Sequence, residues 1–302
     1  MKHNLTVTTI LIALFAITQL VGLGLIASAM DVAVSEDGVV SVTYQDTAIG
    51  ERPDTEGVSS FLLLVIGVGL GTGILLLLIK FRQVFIWKVW YFAAVTMTIA
   101  VALGAVLDIW AAVGLAVILA VWKIFRPNPI VHNLTELLVY AGIALLISPI
   151  LNVFWAIALL VAFALYDLYA VFKSKHMIAM AQFQTESKLF AGMMIPYSKG
   201  KIHATMPKTT TKKPSEQGGQ SAILGGGDIA LPLIFSGVVL HWLVEGGLTV
   251  LAAYLYTLII TLFAAGALTA LFVYAKKGKF YPAMPPIAAG CFVGLAIIWL
   301  LV

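Results

Sequence analysis

Long apolar runs, separated by short polar stretches, repeat along the whole chain. They fall at about 5–29, 59–79, 89–107, 109–125, 135–150, 152–172, 221–244, 247–275 and 284–302. A membrane helix needs roughly 20 apolar residues at 1.5 Å rise each, so the pattern predicts nine transmembrane helices. Two divisions rest on few residues: Asp108 parts the third run from the fourth, and Ser148, Pro149 and Asn152 part the fifth from the sixth. The first run ends in Ala-Ser-Ala (27–29), similar to a signal-peptidase site, but its apolar length of about 24 residues exceeds an ordinary signal core and predicts a retained helix. One long polar stretch, 173–220, lies between the sixth and seventh runs. Its tail, His203 to Gln220, is rich in Thr, Lys, Ser, Gly and Pro without apolar periodicity and reads as mobile. Phe190–Tyr197 is more apolar and suits a short strand or an interfacial segment. The chain therefore divides into a six-helix part (1–172), a cytosolic, partly disordered loop (173–220) and a three-helix part (221–302). No internal repeat is apparent, so the inverted-repeat signature of many transporters is missing.

Composition agrees with a lipid environment. Of 302 residues, 61% are hydrophobic and 11% charged, and mean hydropathy is +1.03, more apolar surface than a soluble domain of this length could hide. The lone cysteine, Cys291, excludes an intrachain disulfide framework and most structural zinc sites. Charge placement then sets the orientation. With a cytosolic N-terminus, 17 of the 18 Lys and Arg fall in or beside the inside segments, and only Arg52 falls outside. The positive-inside rule expects this asymmetry, and a miscount of one span would destroy it. The first outside loop, 30–58, is acidic. The expectation is an all-α, multi-pass integral membrane protein of a cell membrane or endomembrane, N-terminus cytosolic and C-terminus outside, with the lipid bilayer and no nucleic acid as partner.

Few acids lie within the apolar runs, and Asp167 and Asp228 stand out. Asp167 precedes Lys173 by six residues, which places it about 9 Å inside the cytosolic boundary. Asp228 follows Ser221 by seven residues, about 10 Å deep from the same side. The two carboxyls thus reach similar depths on antiparallel helices. A carboxylate in hydrocarbon is costly and marks function. Two that face each other cannot both ionise and share one proton. The ionised partner can then deprotonate a water while the protonated one donates to the carbonyl under attack. This is aspartic-protease chemistry, requiring no metal and no cofactor. Gly225-Gly226-Gly227 ahead of Asp228 lets a backbone approach closely. Taken singly, each acid has a bland alternative: Asp228 as an acid at a glycine-rich helix start, Asp167 as a proton relay or a partner of Lys175.

Three motifs together resemble the presenilin and signal peptide peptidase family, the GxGD intramembrane aspartyl proteases. Tyr166-Asp167 looks like the YD motif, Gly225-x-Gly227-Asp228 like GxGD, and Pro285-Pro286-Ile287 matches the PAL position with Pro for Ala and Ile for Leu. A competing alignment places PAL on Pro282-Ala283-Met284; the first is preferred because it sits where the ninth helix begins. The resemblance spans the nine-helix plan and is most specific over 150–302. It implies that Asp167 and Asp228 are catalytic and that Tyr166, Gly225, Gly226, Gly227, Pro285, Pro286 and Ile287 line the active site. Pro285 and Pro286 discourage helix, so an unwound segment is expected there. Family members hold substrate as an added strand, which makes Phe190–Tyr197 and Ser221–Leu224 candidates for that pairing. The orientation is like that of presenilin and implies cleavage of type I-oriented helices near their cytosolic end. Substrates would be single-span membrane proteins or signal-peptide remnants. Self-association is left open, and no obligate subunit is evident.

The remaining polar residues receive plainer readings. Asp108 and Glu245 fall at outside turns, Glu136 in the first turn of the fifth helix where an acid suits the dipole, and His241 about 20 Å along the helix from Asp228. Residues 87, 90, 91, 110, 122 and 281 read as aromatic interface anchors. No His-Glu-x-x-His is present for a metalloprotease, and Phe235-Ser236-Gly237 lacks the leading Gly of a rhomboid-like serine site. The prepilin peptidases share a GxGD-type aspartate but not the other two motifs. The rival from another class is an ion- or proton-coupled transporter or channel using the same two acids as a relay.

Overall fold

A computed structural model describes residues 5–47, 50, 57–81, 83–126, 128–174, 190–198, 201–202, 220–275 and 281–302. The mobility expected from His203 onward, the Lys175 alternative and the charges at Arg52 and 276–279 lie outside the described residues.

The described residues contain nine α-helices: α1 (Leu5–Ser28), α2 (Val58–Lys80), α3 (Val84–Gly104), α4 (Ile109–Phe125), α5 (Pro129–Ile147), α6 (Val153–Tyr169), α7 (Gly226–Glu245), α8 (Val250–Tyr274) and α9 (Met284–Leu301). Eight are long and apolar enough to cross a membrane; α4, of 17 residues, is shorter. Polar residues mark the boundaries because each satisfies orphan N–H groups of a first turn. Asp108 accepts from Trp110 N at 2.9 Å, Asn128 from Ile130 N at 2.7 Å, and Asn152 from Trp155 N at 3.0 Å.

Helix α7 is the hub. Every residue from Ile229 to Leu240 is buried, and α1, α5, α6, α8 and α9 all pack on it. Helix α2 is the opposite case: it touches α3 and α6, and most of its side chains point outward toward the lipid position. Close approaches rest on glycine. A Cβ on Gly142 of α5 would lie 1.9 Å from the Thr98 carbonyl oxygen of α3. Gly142→Val is therefore expected to cost about 1–3 kcal/mol or more, measurable as a lowered thermal midpoint of the purified protein.

Two small sheets complete the fold. Strands β1 (Met30–Val34) and β2 (Val40–Tyr44) form an antiparallel hairpin, closed at Gly38, whose φ is +77°. The acidic loop of the sequence reading thus carries a hairpin. Strands β3 (Gly192–Ser198), β4 (Lys201–Ile202) and β5 (Gln220–Gly225) form a second antiparallel sheet in the order β4-β3-β5. The register sets Gly192 opposite Gly225 and Met193 opposite Leu224.

Three expectations need correction here. The seventh helix starts at Gly226, because Ser221–Gly225 is extended and bonded to β3; Asp228 consequently lies in the first turn of α7. The fifth helix starts at Pro129, a residue whose fixed φ suits a first helical position. Glu136 is therefore a full turn past the first, where it is only 1% exposed. Trp87 and Tyr91, expected at the interface, are buried in the core, whereas Trp90, Trp110 and Trp122 are exposed.

Candidate active site

Asp228 owes its position to its three glycines. Gly225 is the N-cap of α7, so Gly226, Gly227 and Asp228 are the first three helical residues. An acid at the third helical position can reach back to the N-cap N–H, one half of a capping box. The Asp228 carboxylate does lean toward the Gly225 N–H, and a Cβ on Gly225 would lie 3.0 Å from its Oδ2. Gly226 is tight for another reason: a Cβ there would lie 2.8 Å from the Tyr140 hydroxyl of α5. Gly227 is exposed and leaves the carboxylate reachable. Gly226→Ala should push Asp228 out of place, and a displacement near 1 Å can lower the rate roughly 100-fold. Cleavage kinetics beside an unchanged thermal midpoint would show this.

Farther along α7, Pro232 sits inside the helix and cannot donate to the Asp228 carbonyl four residues earlier. Gln19 of α1 donates its Nε2–H to the Ile229 carbonyl at 2.9 Å, reinforcing this weakened turn.

Asp167 ends α6, just before a wide π-type turn over Ala170–Ser174. Its Oδ2 accepts the Met284 N–H at 3.1 Å, with the Ala283 N–H also beside it. Helix α6 packs against both α7 and α9. Asp167 and Asp228 are each half-buried, near the ends of helices that pack together. The arrangement presents two carboxyl groups at helix ends, one against amides of the α9 approach and one against an N-cap amide, beside exposed backbone.

The other expected lining residues divide. Gly225–Gly227 adjoin Asp228. Tyr166 is 49% exposed and points away from the buried core. Pro285 and Pro286 do not unwind the chain: they occupy the first turn of α9, where the missing N–H groups would be orphans anyway. Ile287 is fully buried. The residues against Asp167 are Ala283 and Met284, of the competing alignment.

A cavity of about 440 Å³ lies between α2, α3, α5, α6 and α7 and reaches Gly226 and Gly227; Leu64, Phe163, Tyr140 and Ala230 are among its walls. Its lining is almost wholly apolar, as an apolar ligand would require.

The polar cluster in the wall of this cavity, to which Tyr91, Glu136 and Tyr140 contribute, escaped the sequence reading. Lys123 Nζ lies 2.6 Å from Glu136 Oε1 and 2.9 Å from Thr135 Oγ1. Tyr140 donates to Glu136 Oε2, and Gly192 N donates to the same oxygen at 3.1 Å. The Tyr91 hydroxyl is 3.2 Å from Glu136 Oε1 and equally far from the Phe190 carbonyl. Asn128-Pro129 was the available signal: reading it as a helix start moves Glu136 inside α5, where it needs a cation. His241, at the far end of α7, pairs with Tyr44 and Glu245 at 3.2 Å each.

Among the described residues, nine helices place Asp167 and Asp228 near the ends of two that pack together. The sequence matches the signal-peptide peptidase, presenilin aspartyl protease family over residues 12–302, and the chain belongs to that family. It is an intramembrane aspartic protease and a multi-pass integral membrane protein. Two solved structures share the fold, both described as a presenilin family intramembrane aspartate protease. The one in space group P2 is 17% identical, covers 97% of each chain and has a TM-score of 0.61. The one in C222 is 18% identical, covers 98% of this chain and 99% of the other, and has a TM-score of 0.58. No curated protein matches.

Proposed function

We propose that Asp167 and Asp228 are the catalytic pair and that they hydrolyse peptide bonds of single-span membrane helices with an activated water. The observation that carries this reading is that the two acids stand near the ends of α6 and α7, helices that pack together, each half-buried and beside the exposed backbone of Gly227. In the mechanism, the ionised carboxylate removes a proton from the water as its oxygen attacks the peptide carbon. The protonated partner donates to the carbonyl oxygen, and the gem-diol then collapses as the amine leaves with a proton. The amides of Ala283 and Met284 orient Asp167, so 282–284 takes the role that the sequence reading gave to 285–287.

The apolar cavity receives the substrate helix from the lipid on the α2 side. Near the dyad that helix must unwind, because a helical peptide bond is shielded by its own hydrogen bonds and side chains. Strand β5 is the edge strand of its sheet among the described residues. Its free side offers backbone groups to an extended substrate segment, with Ser221–Leu224 the pairing stretch. Substrates of type I orientation, cut near their cytosolic end, fit the charge asymmetry of the loops.

The test is to incubate purified full-length protein in detergent with a single-span reporter peptide and identify fragments by mass spectrometry. Wild type is expected to cut near the cytosolic end of the span, and neither Asp167→Asn nor Asp228→Asn to cut at all. Intact peptide in every tube, with binding demonstrated, overturns the proposal. Cation flux in proteoliposomes without proteolysis would favour the relay reading.

A further inference from the structure

A second charged centre lies in the wall of the cavity and takes no part in the proposed chemistry. Lys123 and Glu136 are 3% and 1% exposed, and four partners fill the Glu136 carboxylate: Lys123 and Tyr91 on Oε1, Tyr140 and the Gly192 N–H on Oε2. Such a pair is not needed for stability. Apolar residues of similar volume commonly replace buried ion pairs without loss. What apolar side chains cannot do is accept hydrogen bonds, and two of these bonds lead to Asp228.

The first route runs through the sheet. Gly192 has φ of +154°, a conformation glycine adopts far more readily than other residues, and it turns its N–H onto Glu136. His132 holds the same residue from the other side, its Nε2 lying 2.8 Å from the Gly192 carbonyl. Asn133 exchanges two bonds with the Met194 backbone, each 2.9 Å. Strand β3 is thus fastened to α5 at its first residues. Gly192 pairs with Gly225, the N-cap residue toward which Asp228 leans. The second route is a single contact: Tyr140, fixed by Glu136, abuts Gly226.

We propose that Glu136, held by Lys123, is a positioning residue that fixes strand β3 and the Gly225–Gly226 turn, and so sets where Asp228 and the paired substrate strand stand relative to each other. This rests on the catalytic reading of Asp228. It adds that the bond selected for cleavage depends on a carboxylate outside the catalytic pair.

The experiment uses the full-length protein in three forms: wild type, Glu136→Gln, and the apolar double variant Lys123→Met with Glu136→Leu. Three quantities are read: thermal midpoint, hydrogen–deuterium exchange over 190–198 and 220–228, and cleavage of the reporter peptide with the cut position mapped. The double variant strands no charge but leaves the Tyr91 and Tyr140 hydroxyls and the Gly192 N–H without their acceptor, so it should stay folded with a midpoint a few degrees below wild type. Its exchange over both segments should rise roughly tenfold, as losing a hydrogen bond to a charged group implies. Its kcat should fall about tenfold or more with KM within about twofold, and its cuts should spread to neighbouring bonds. Glu136→Gln keeps the shape and one acceptor oxygen but leaves Lys123 without its counter-charge, so its midpoint should fall; assayed below that midpoint, its exchange and rate should lie between those of wild type and the double variant, and it carries the test alone if the double variant does not fold. Wild-type exchange, or wild-type rate and cut position, in folded variants overturns the proposal. If wild type itself cuts nothing, the catalytic reading fails, and the exchange arm still decides whether Glu136 fastens the sheet.

Discussion

Asp228→Asn should reduce cleavage by roughly 10³-fold or more while leaving the thermal midpoint near that of wild type. General acid–base catalysis by a placed side chain contributes about 10²–10⁴, and 10³ corresponds to about 4 kcal/mol of barrier. The amide keeps the size of the carboxyl and can still accept from the Gly225 N–H, so the first turn of α7 is retained. It can neither take a proton from water nor share one with Asp167. Asp167→Asn should be equally severe, since the Met284 N–H can still bond the remaining oxygen. The double variant should be no worse than either single one, because residues that act as a unit are not additive. Product quantification over long incubations measures all three. A single variant that keeps a tenth of the wild-type rate would remove its residue from the chemistry.

Lys123→Met should cost about 3–5 kcal/mol of stability, the usual consequence of stranding one member of a buried ion pair. Lys123 supplies the cation on Glu136 Oε1 at 2.6 Å. Methionine fills its volume but leaves the carboxylate with only neutral donors. A thermal midpoint lowered by roughly 5–15 °C is expected, and restoring most of the midpoint by also replacing Glu136 with leucine would attribute the loss to the stranded charge. An unchanged midpoint would mean that Tyr91, Tyr140 and the Gly192 N–H suffice to hold Glu136.

Most of the helical plan was legible because lipid imposes a simple rule on length and composition. The divisions at Asp108 and Asn152 were correct for a local reason, since both side chains cap the helices that follow. Strand pairing was harder to read. Ser221–Leu224 is as apolar as a helix start, and only its partner β3, reached across the long loop, makes it extended. The same gap misplaced the start of the helix that carries Asp228. The family motifs singled out Asp167 and Asp228 and favoured Pro285-Pro286-Ile287, whereas the backbone amides on Asp167 belong to Ala283 and Met284. Pro285 and Pro286 look like helix breakers, yet at the first positions of α9 they are compatible with helix, and the backbone that faces Asp167 is one step earlier. Lys123 was counted with the loop charges, although it folds inward to Glu136. A charge tally along the sequence does not see which way a side chain turns.

Pro232 has a mechanical consequence. It deletes the hydrogen bond that would tie the Asp228 carbonyl to the body of α7, while the Gly225 end of that turn is bonded to β3. Asp228 is thus joined more firmly to the ribbon ahead of it than to the column behind it. Tension that a docking chain exerts on the ribbon reaches the carboxylate directly, and the column, clamped by five neighbours, stays still. Seating of the substrate and aiming of the acid would then be one movement.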